Sequence, residues 1–224
     1  MSSVIPAFNG RLAEAAHYAL LRRLAPAIRH NMAGSLQPIG MIAAMLERRL
    51  QGATPDLAQL GKNASDISAL SREAANSCMN LMTWLAPRES EPVPLNSGLD
   101  EALQLLATEL SFRGFTLVNE IGEVDTQVRR SALRSVVTAS LIALTDAAAS
   151  PASIVLSARV LDGDTQLFIE LVAAGGAAAT SSPQAYRQLG WDDVQALADI
   201  EEIGLLHFEN RIELRFRGVD APFI

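Results

Sequence analysis

A proline-rich segment divides this sequence and limits how the chain on either side can fold. Residues 86–94 contain three prolines and three charged side chains. Because proline lacks a backbone N–H and restricts the residue before it, a helix that reaches this segment ends there. The sequence therefore predicts two domains, over residues 1–87 and 95–224.

The first domain is expected to be a helical hairpin. Apolar side chains recur every three or four residues along residues 9–50, which is the spacing of one face of a helix. Gly52 then predicts the end of this helix, and Thr54 and Pro55 predict the beginning of the next one. A heptad pattern from Leu60 to Leu81 predicts a second helix that ends near Leu85. One hairpin cannot bury both apolar faces, so we expect a homodimeric four-helix bundle.

The second domain is expected to be an α+β sandwich. Its predicted elements alternate, and the pattern favours helices on one face of a mixed sheet. The Asp162-Gly163 pair predicts a tight hairpin turn. The predicted helices span residues 99–112, 131–149 and 191–200, and the predicted strands span residues 115–121, 153–161, 166–172, 205–209 and 211–216.

The composition excludes several classes of function. With 18 basic and 25 acidic residues the net charge is −7, which argues against a nucleic-acid partner. The single cysteine, Cys78, excludes an internal disulfide and a multi-cysteine metal site. The sequence has no signal peptide and no apolar run of about 20 residues, so we expect a cytoplasmic protein with no membrane contact.

The most informative residue is His30. At about 100° per residue, it lies roughly 200° round the first helix from the apolar stripe through Ile28 and Ile39, and so faces solvent. An imidazole is mostly neutral near pH 7 and can attack phosphorus, and Arg23 and Arg29 could help to hold phosphate charge. From position alone, a solvated surface histidine without a chemical role is the alternative.

Residues 29–39 resemble the phospho-acceptor box of histidine kinases. His30 and the run from Leu36 to Ile39 match that box. The kinases usually carry an acidic residue where this chain has Asn31, and often a polar residue where it has Gly34. Both departures argue against self-phosphorylation and phosphatase activity. The resemblance implies that His30 accepts the phosphoryl group, that response-regulator receiver domains are the partners, and that a surface contacts phosphate and partner, formed by Arg23, Arg29, Asn31, Ala33, Gly34 and Gln37.

The second domain is similar in its order of elements to the ATP-binding (Bergerat-like) domain of the same kinases. The helix over residues 133–148 contains no asparagine, which in the family holds the metal ion. The family's aspartate-glycine loop corresponds to residues 173–176, which read Ala-Ala-Gly-Gly, and Gly190 stands in place of the later glycine-rich loop. The resemblance thus implies a degenerate domain without ATP, another cofactor or a metal.

Together these features favour a histidine phosphotransferase that relays a phosphoryl group between response-regulator aspartates through His30, without use of ATP. Such a protein is a phosphotransfer intermediate rather than an ATP-dependent kinase. Two alternatives remain open at this point. One is a non-catalytic, pseudokinase-like scaffold that binds receiver domains or a kinase partner. The other is an enzyme, either a kinase with an unusual nucleotide site or one unrelated to signalling.

Overall fold

The structure, a computed structural model, describes residues 4–52, 56–85, 91–174 and 187–217. The predictions for residues 53–55, 86–90 and 175–176 lie outside these ranges. The chain divides into two compact units: Ala25–Pro87, and Met1–Leu24 together with Arg88–Ile224. In the described part of the chain, no helix is both long and apolar enough to cross a membrane.

The first unit is built from two long helices, α1 (Val4–Leu50, which enters this unit at Ala25) and α2 (Leu57–Leu85). Both helices were expected from the apolar spacing. The predicted stripe of α1 is its less exposed side, where Ser35 is buried. On α2, Leu60 and Ala74 of the heptad pattern are also buried. Arg49 of α1 donates a hydrogen bond to Asn63 of α2; this two-helix unit is called the hairpin, after the predicted arrangement.

The second unit is the expected α+β fold with a mixed sheet. Its five-stranded sheet has the order β2-β4-β5-β7-β6, and β1 pairs with β3 in a separate small sheet. In the large sheet β2 and β4 are parallel and the other pairs are antiparallel. The elements are β1 (Pro92–Pro94), α3 (Leu95–Phe112), β2 (Phe115–Asn119), β3 (Gln127–Arg129), α4 (Arg130–Ala132), α5 (Thr138–Ala147), β4 (Ala152–Leu161), β5 (Asp164–Ala173), α6 (Trp191–Glu201), β6 (Gly204–His207) and β7 (Arg211–Phe216).

The core of this unit lies between the sheet and a helical layer. A π-helical stretch, Leu133–Val137, joins α4 to α5, and this stretch and α5 as far as Thr145 are buried on all sides. Alternate residues of the central strands, such as Ile154 and Leu167, are buried as well. Asp162 and Gly163 have φ values of 53° and 83°, so they form the expected tight turn between β4 and β5.

The beginning of α1 belongs to the α/β unit, whereas the sequence groups residues 1–87 in one domain. Ala16, Leu20 and Leu24 are fully buried there. They continue the three- and four-residue apolar spacing of the later part of α1, so the spacing predicts one uninterrupted helix. The spacing does not indicate that two parts of this helix are buried in different units.

Candidate functional site

His30 lies on the solvent side of α1, away from the side that packs in the hairpin. The residues of the predicted stripe are less exposed: Ser35 is buried, and Met32 and Ile39 are half-buried. His30 itself is exposed. An imidazole in this position can be approached by a macromolecule and is not enclosed in a pocket.

The neighbours of His30 on the same side of α1 are small or polar. At about 100° per residue, Gly34 is roughly 40° and Gln37 roughly 20° round the helix from His30. Both are exposed. A Cβ atom added at Gly34 would meet no atom within 4 Å. The side of α1 that carries His30 therefore has room for a partner to come close.

Three further predicted contact residues flank this surface. Arg29 and Asn31 are exposed, and Ala33 is half-buried. The backbone carbonyl of Asn31 accepts a hydrogen bond from Ser35 Oγ at 3.3 Å, which ties this turn to the packed side of α1. The side chain of Asn31 is an amide and has no carboxylate that could take a proton. The roles of these residues toward phosphate and partner stay predictions.

Arg23, which is predicted to hold phosphate charge, forms ion pairs in the α/β unit. Its side chain is only 7% exposed and pairs with Glu109 at 2.5 Å and with Asp146 at 3.3 Å. Arg113 approaches the same two carboxylates, at 3.6 Å and 2.8 Å. All four residues belong to the α/β unit. The guanidinium of Arg23 thus pairs with carboxylates of the α/β unit, and its role toward a phosphate stays a prediction.

Two exposed methionines of α2, which the sequence does not single out, would lie near the level of His30 in an antiparallel hairpin. Arg49 Nη1 of α1 donates to Asn63 Oδ1 of α2 over 3.4 Å, so these two residues lie side by side. The separation from Asn63 to Met82 along α2 equals the separation from His30 to Arg49 along α1. Because both helices rise equally per residue, Met82 would come to the level of His30. Met79 and Met82 are 62% and 63% exposed. A heptad pattern describes the packed side of α2 and says nothing of this outer side.

The other two histidines lie in the α/β unit and have structural explanations. Burial lowers the pKa of His17, and the negative charge of Glu201 acts in the opposite direction. The ring of His207 stacks on Trp191, with the ring centroids 4.4 Å apart and the planes 3° from parallel. Neither residue is assigned a chemical role.

Two regions that bear on the predicted loss of nucleotide binding are described in the α/β unit. Among the described residues, no group of three or more His, Cys, Asp or Glu side chains could hold a metal. The π-helical stretch and α5 present buried side chains and contain no asparagine. Gly190 caps α6, where its N–H donates to Asp193 Oδ2 at 2.9 Å. The predicted glycine pair at 175–176 lies outside the described residues.

No family model matches this chain, and no curated protein matches it. Some solved structures can be aligned with it. The histidine kinase AdeS of Acinetobacter baumannii is 14% identical, over 80% of this chain and 96% of that chain, with a TM-score of 0.44. A histidine kinase from Burkholderia phymatum is 16% identical over 88% and 97% of the two chains, with a TM-score of 0.43. A bacterial phosphotransferase is 14% identical over 88% and 95%, with a TM-score of 0.38. Because these TM-scores are low, neither fold nor function is inferred from them.

Proposed function

We propose that this chain is a histidine phosphotransferase, in which His30 carries a phosphoryl group between the receiver domains of response regulators. The observation that carries the proposal is the exposure of His30 on α1, beside an exposed glycine with open space around it. The imidazole must enter the active site of another protein to reach a phosphoaspartate. Small neighbours such as Gly34 and Ala33 favour that approach.

The proposed reaction has two steps that mirror each other. A neutral ring nitrogen of His30 attacks the phosphorus of a receiver's phosphoaspartate, so that a P–N bond forms while the P–O bond to the carboxylate breaks. The other ring nitrogen keeps its proton, and the aspartate leaves as a carboxylate. In the second step the carboxylate of another receiver attacks the phosphohistidine, and the neutral imidazole is restored.

Two features support transfer between proteins over self-phosphorylation from ATP. Asn31 replaces the carboxylate that would take a proton during autophosphorylation. In the α/β unit, the helix that would bring a metal-holding asparagine has only buried side chains of other types between Leu133 and Thr145. A phosphoaspartate donor requires neither the base nor the nucleotide site.

The proposal includes a homodimer formed by the hairpin. Leu36, Ala43 and Leu50 are exposed in the single chain and are spaced one heptad apart. This heptad row lies about 40–80° from the centre of the packed stripe, on the other side of the stripe from Gly34. Burial of the row against a second copy would complete a four-helix bundle and leave the surface around His30 free.

The test is transfer from a phosphorylated receiver domain. The purified chain is incubated with a receiver of the same cell that carries labelled phosphoaspartate, and acid-labile label on the chain is measured. We expect label on the wild type and none on His30→Ala. His207→Ala is the matched control, because His207 is the other exposed histidine of the described residues, and it should keep the label.

A scaffold without chemistry is the second candidate, and the exposed methionines of the hairpin favour it. Met41, Met79 and Met82 are each more than 60% exposed, and methionine suits surfaces that bind several partners. Binding of receivers that is unchanged in His30→Ala, with no label on the wild type from any cognate receiver, would establish the scaffold and overturn the phosphotransferase.

A further inference from the structure

We propose that Asn63 is a positioning residue that sets the register of α2 against α1, and thereby decides which side chains of α2 stand level with His30. The part that concerns His30 rests on the proposed function, whereas the part that concerns register does not. All the contacts involved lie within the hairpin unit, Ala25–Pro87.

Asn63 lies in the packed seam of the hairpin. The buried residues Leu60, Asn63 and Ala74 of α2 share one side of the helix, and Asn63 follows Leu60 at the three-residue step of a heptad seam. The side chain of Asn63 is only 4% exposed, less than that of Leu60 at 8%. An amide thus occupies a position where the heptad pattern calls for an apolar side chain.

Within the described part of the chain, the oxygen of the Asn63 amide is hydrogen-bonded, whereas its nitrogen is not. Its Oδ1 accepts from Arg49 Nη1 of α1 at 3.4 Å and from Gln59 Nε2 of its own helix at 3.2 Å. Its Nδ2 is buried and has no hydrogen-bond partner among the described residues. A buried amide whose donor is unpaired destabilises the folded state relative to an apolar side chain of similar size.

In return for this loss of stability, the hydrogen bond between Arg49 and Asn63 favours one alignment of α2 along α1. The rest of the seam is formed mainly by leucine, isoleucine and alanine, and such apolar seams pack nearly as well after a shift of one heptad. A buried polar residue penalises the shifted packing, because the shift separates it from its partner and leaves more of its groups unpaired. Only one alignment keeps Arg49 at Asn63.

That alignment determines the surroundings of His30. With Arg49 beside Asn63, the exposed Met79 and Met82 lie near the level of His30. A shift of one heptad would carry α2 along α1 by about 10 Å and bring other residues to that level. We therefore expect Asn63 to affect the binding of a receiver domain, without contact between Asn63 and the receiver or the phosphoryl group.

The register is measured directly as a distance between two spin labels. In a Cys78→Ser background, Ala44→Cys on α1 and Ala75→Cys on α2 place nitroxides at two exposed positions. Excess unlabelled protein dilutes pairs between copies, so that only distances within one hairpin are recorded. We expect one narrow distance for the wild-type hairpin.

In Asn63→Leu we expect a second distance, because a shift of one heptad changes the axial separation of the two labels by about 10 Å, together with a rise in Tm on the order of 2–4 °C. Ile67→Leu, an apolar exchange in the same seam, is the matched control and should keep one distance. Asn63→Asp retains an acceptor for Arg49 and should restore the single distance. If Asn63→Leu does not fold, Asn63→Ala replaces it.

Kinetics then separate this proposal from a merely structural role. In Asn63→Leu we expect the KM for the phosphorylated receiver to rise several-fold with little change in kcat, and Asn63→Asp to restore it. A single wild-type distance in both Asn63→Leu and Asn63→Ala overturns the proposal. A changed distance with an unchanged KM overturns the positioning of the receiver surface. Absence of label on the wild type refutes the proposed function alone, because the spin-label distance still decides the register.

Discussion

The guanidinium of Arg23 lies 3.3 Å from the carboxylate of Asp146, although the two residues are 123 positions apart in the sequence. Both side chains are buried, at 7% and 5% exposure. Glu109 and Arg113 complete a cluster of two positive and two negative groups. The cluster joins α1, α3 and the end of α5, so it holds the first part of α1 in the α/β unit.

Loss of this arginine should destabilise the α/β unit. Arg23→Met keeps an apolar stem but removes one of the two guanidinium groups that pair with Glu109 and Asp146, and we expect a loss on the order of 3 kcal/mol in the free energy of unfolding. Urea denaturation followed by circular dichroism measures it. The control is Arg11→Met, which replaces an exposed arginine of the same helix and should change stability by about 0.5 kcal/mol or less. Equal effects of the two changes would contradict the assigned role of the cluster.

Stability should fall in mild acid because of His17. Burial lowers the pKa of His17 in the folded state from 6.5, and the charge of Glu201 only partly opposes this. Below pH 6.5 the unfolded chain therefore binds a proton that the folded chain resists. The contribution of neutral His17 to the free energy of unfolding is complete above pH 6.5, and it is lost as the pH falls toward the lowered pKa. In His17→Gln, thermal melts between pH 7.5 and pH 5.5 should show a smaller decrease in Tm than in the wild type. An identical decrease would be inconsistent with this account.

A bulky residue at Gly34 should block phosphotransfer without harm to the fold. A side chain at Gly34 or at Gly40 would meet no atom of the chain within 4 Å, and leucine favours helix over glycine at both. Gly34 is on the side of His30, whereas Gly40 is about 80° away from His30 and roughly 15 Å along α1.

We expect Gly34→Leu to slow the labelling of His30 by roughly 10²-fold, since a misplacement of about 1 Å can cost that much. Gly40→Leu should retain nearly the wild-type rate. The rate of label transfer from a phosphorylated receiver measures both. Unimpaired transfer in Gly34→Leu would refute a docking surface on this side of α1.

The two sides of α1 should be separable by charge. Leu36→Glu places a carboxylate in the heptad row Leu36, Ala43 and Leu50, so we expect monomers by light scattering coupled to size exclusion. Met41→Glu, on the side of His30, should leave the dimer intact and weaken receiver binding. The side chains of Leu36 and Met41 are 48% and 68% exposed, so neither substitution buries a charge in the single chain. A dimer in Leu36→Glu would require another interface.

Mg-ATP should not stabilise this protein. A ligand that binds the folded state raises the apparent Tm by mass action, so a thermal shift is a sensitive test. We expect no shift at millimolar Mg-ATP, because the helix from Leu133 to Ala147 supplies no amide ligand for the metal ion. A histidine kinase domain that binds ATP serves as the positive control. A clear shift would restore the alternative of an enzyme with an unusual nucleotide site.

Much of the fold could be predicted because local spacing encodes it. The three- and four-residue spacing of apolar side chains predicts α1 and α2, and alternation with a turn at Asp162 and Gly163 predicts the β4–β5 hairpin. The mixed sheet follows from the order of its elements. The pairing of β1 with β3 was missed, because a strand of three residues carries too little pattern to be recognised.

The candidate site was predictable in part for the same reason. The helical phase of α1 suffices to place His30, Gly34 and Gln37 on the solvent side, since phase depends only on neighbours along the chain. By the same helical phase, Arg23 and His30 fall on one side of α1, because they are seven residues apart. It cannot reveal that Arg23 meets Asp146, because that contact is made by a residue from another part of the sequence.

By itself, the sequence determined the helices, the strands and the exposed side of the helix that carries His30, because each of these depends on the spacing of neighbouring residues. Only the tertiary structure decided that the first part of α1 is buried in the α/β unit, that Arg23 pairs with Glu109 and Asp146, and that Arg49 of α1 bonds to Asn63 of α2. These are contacts between distant segments. They depend on which surfaces meet when apolar area is buried, and a local pattern does not specify its partner.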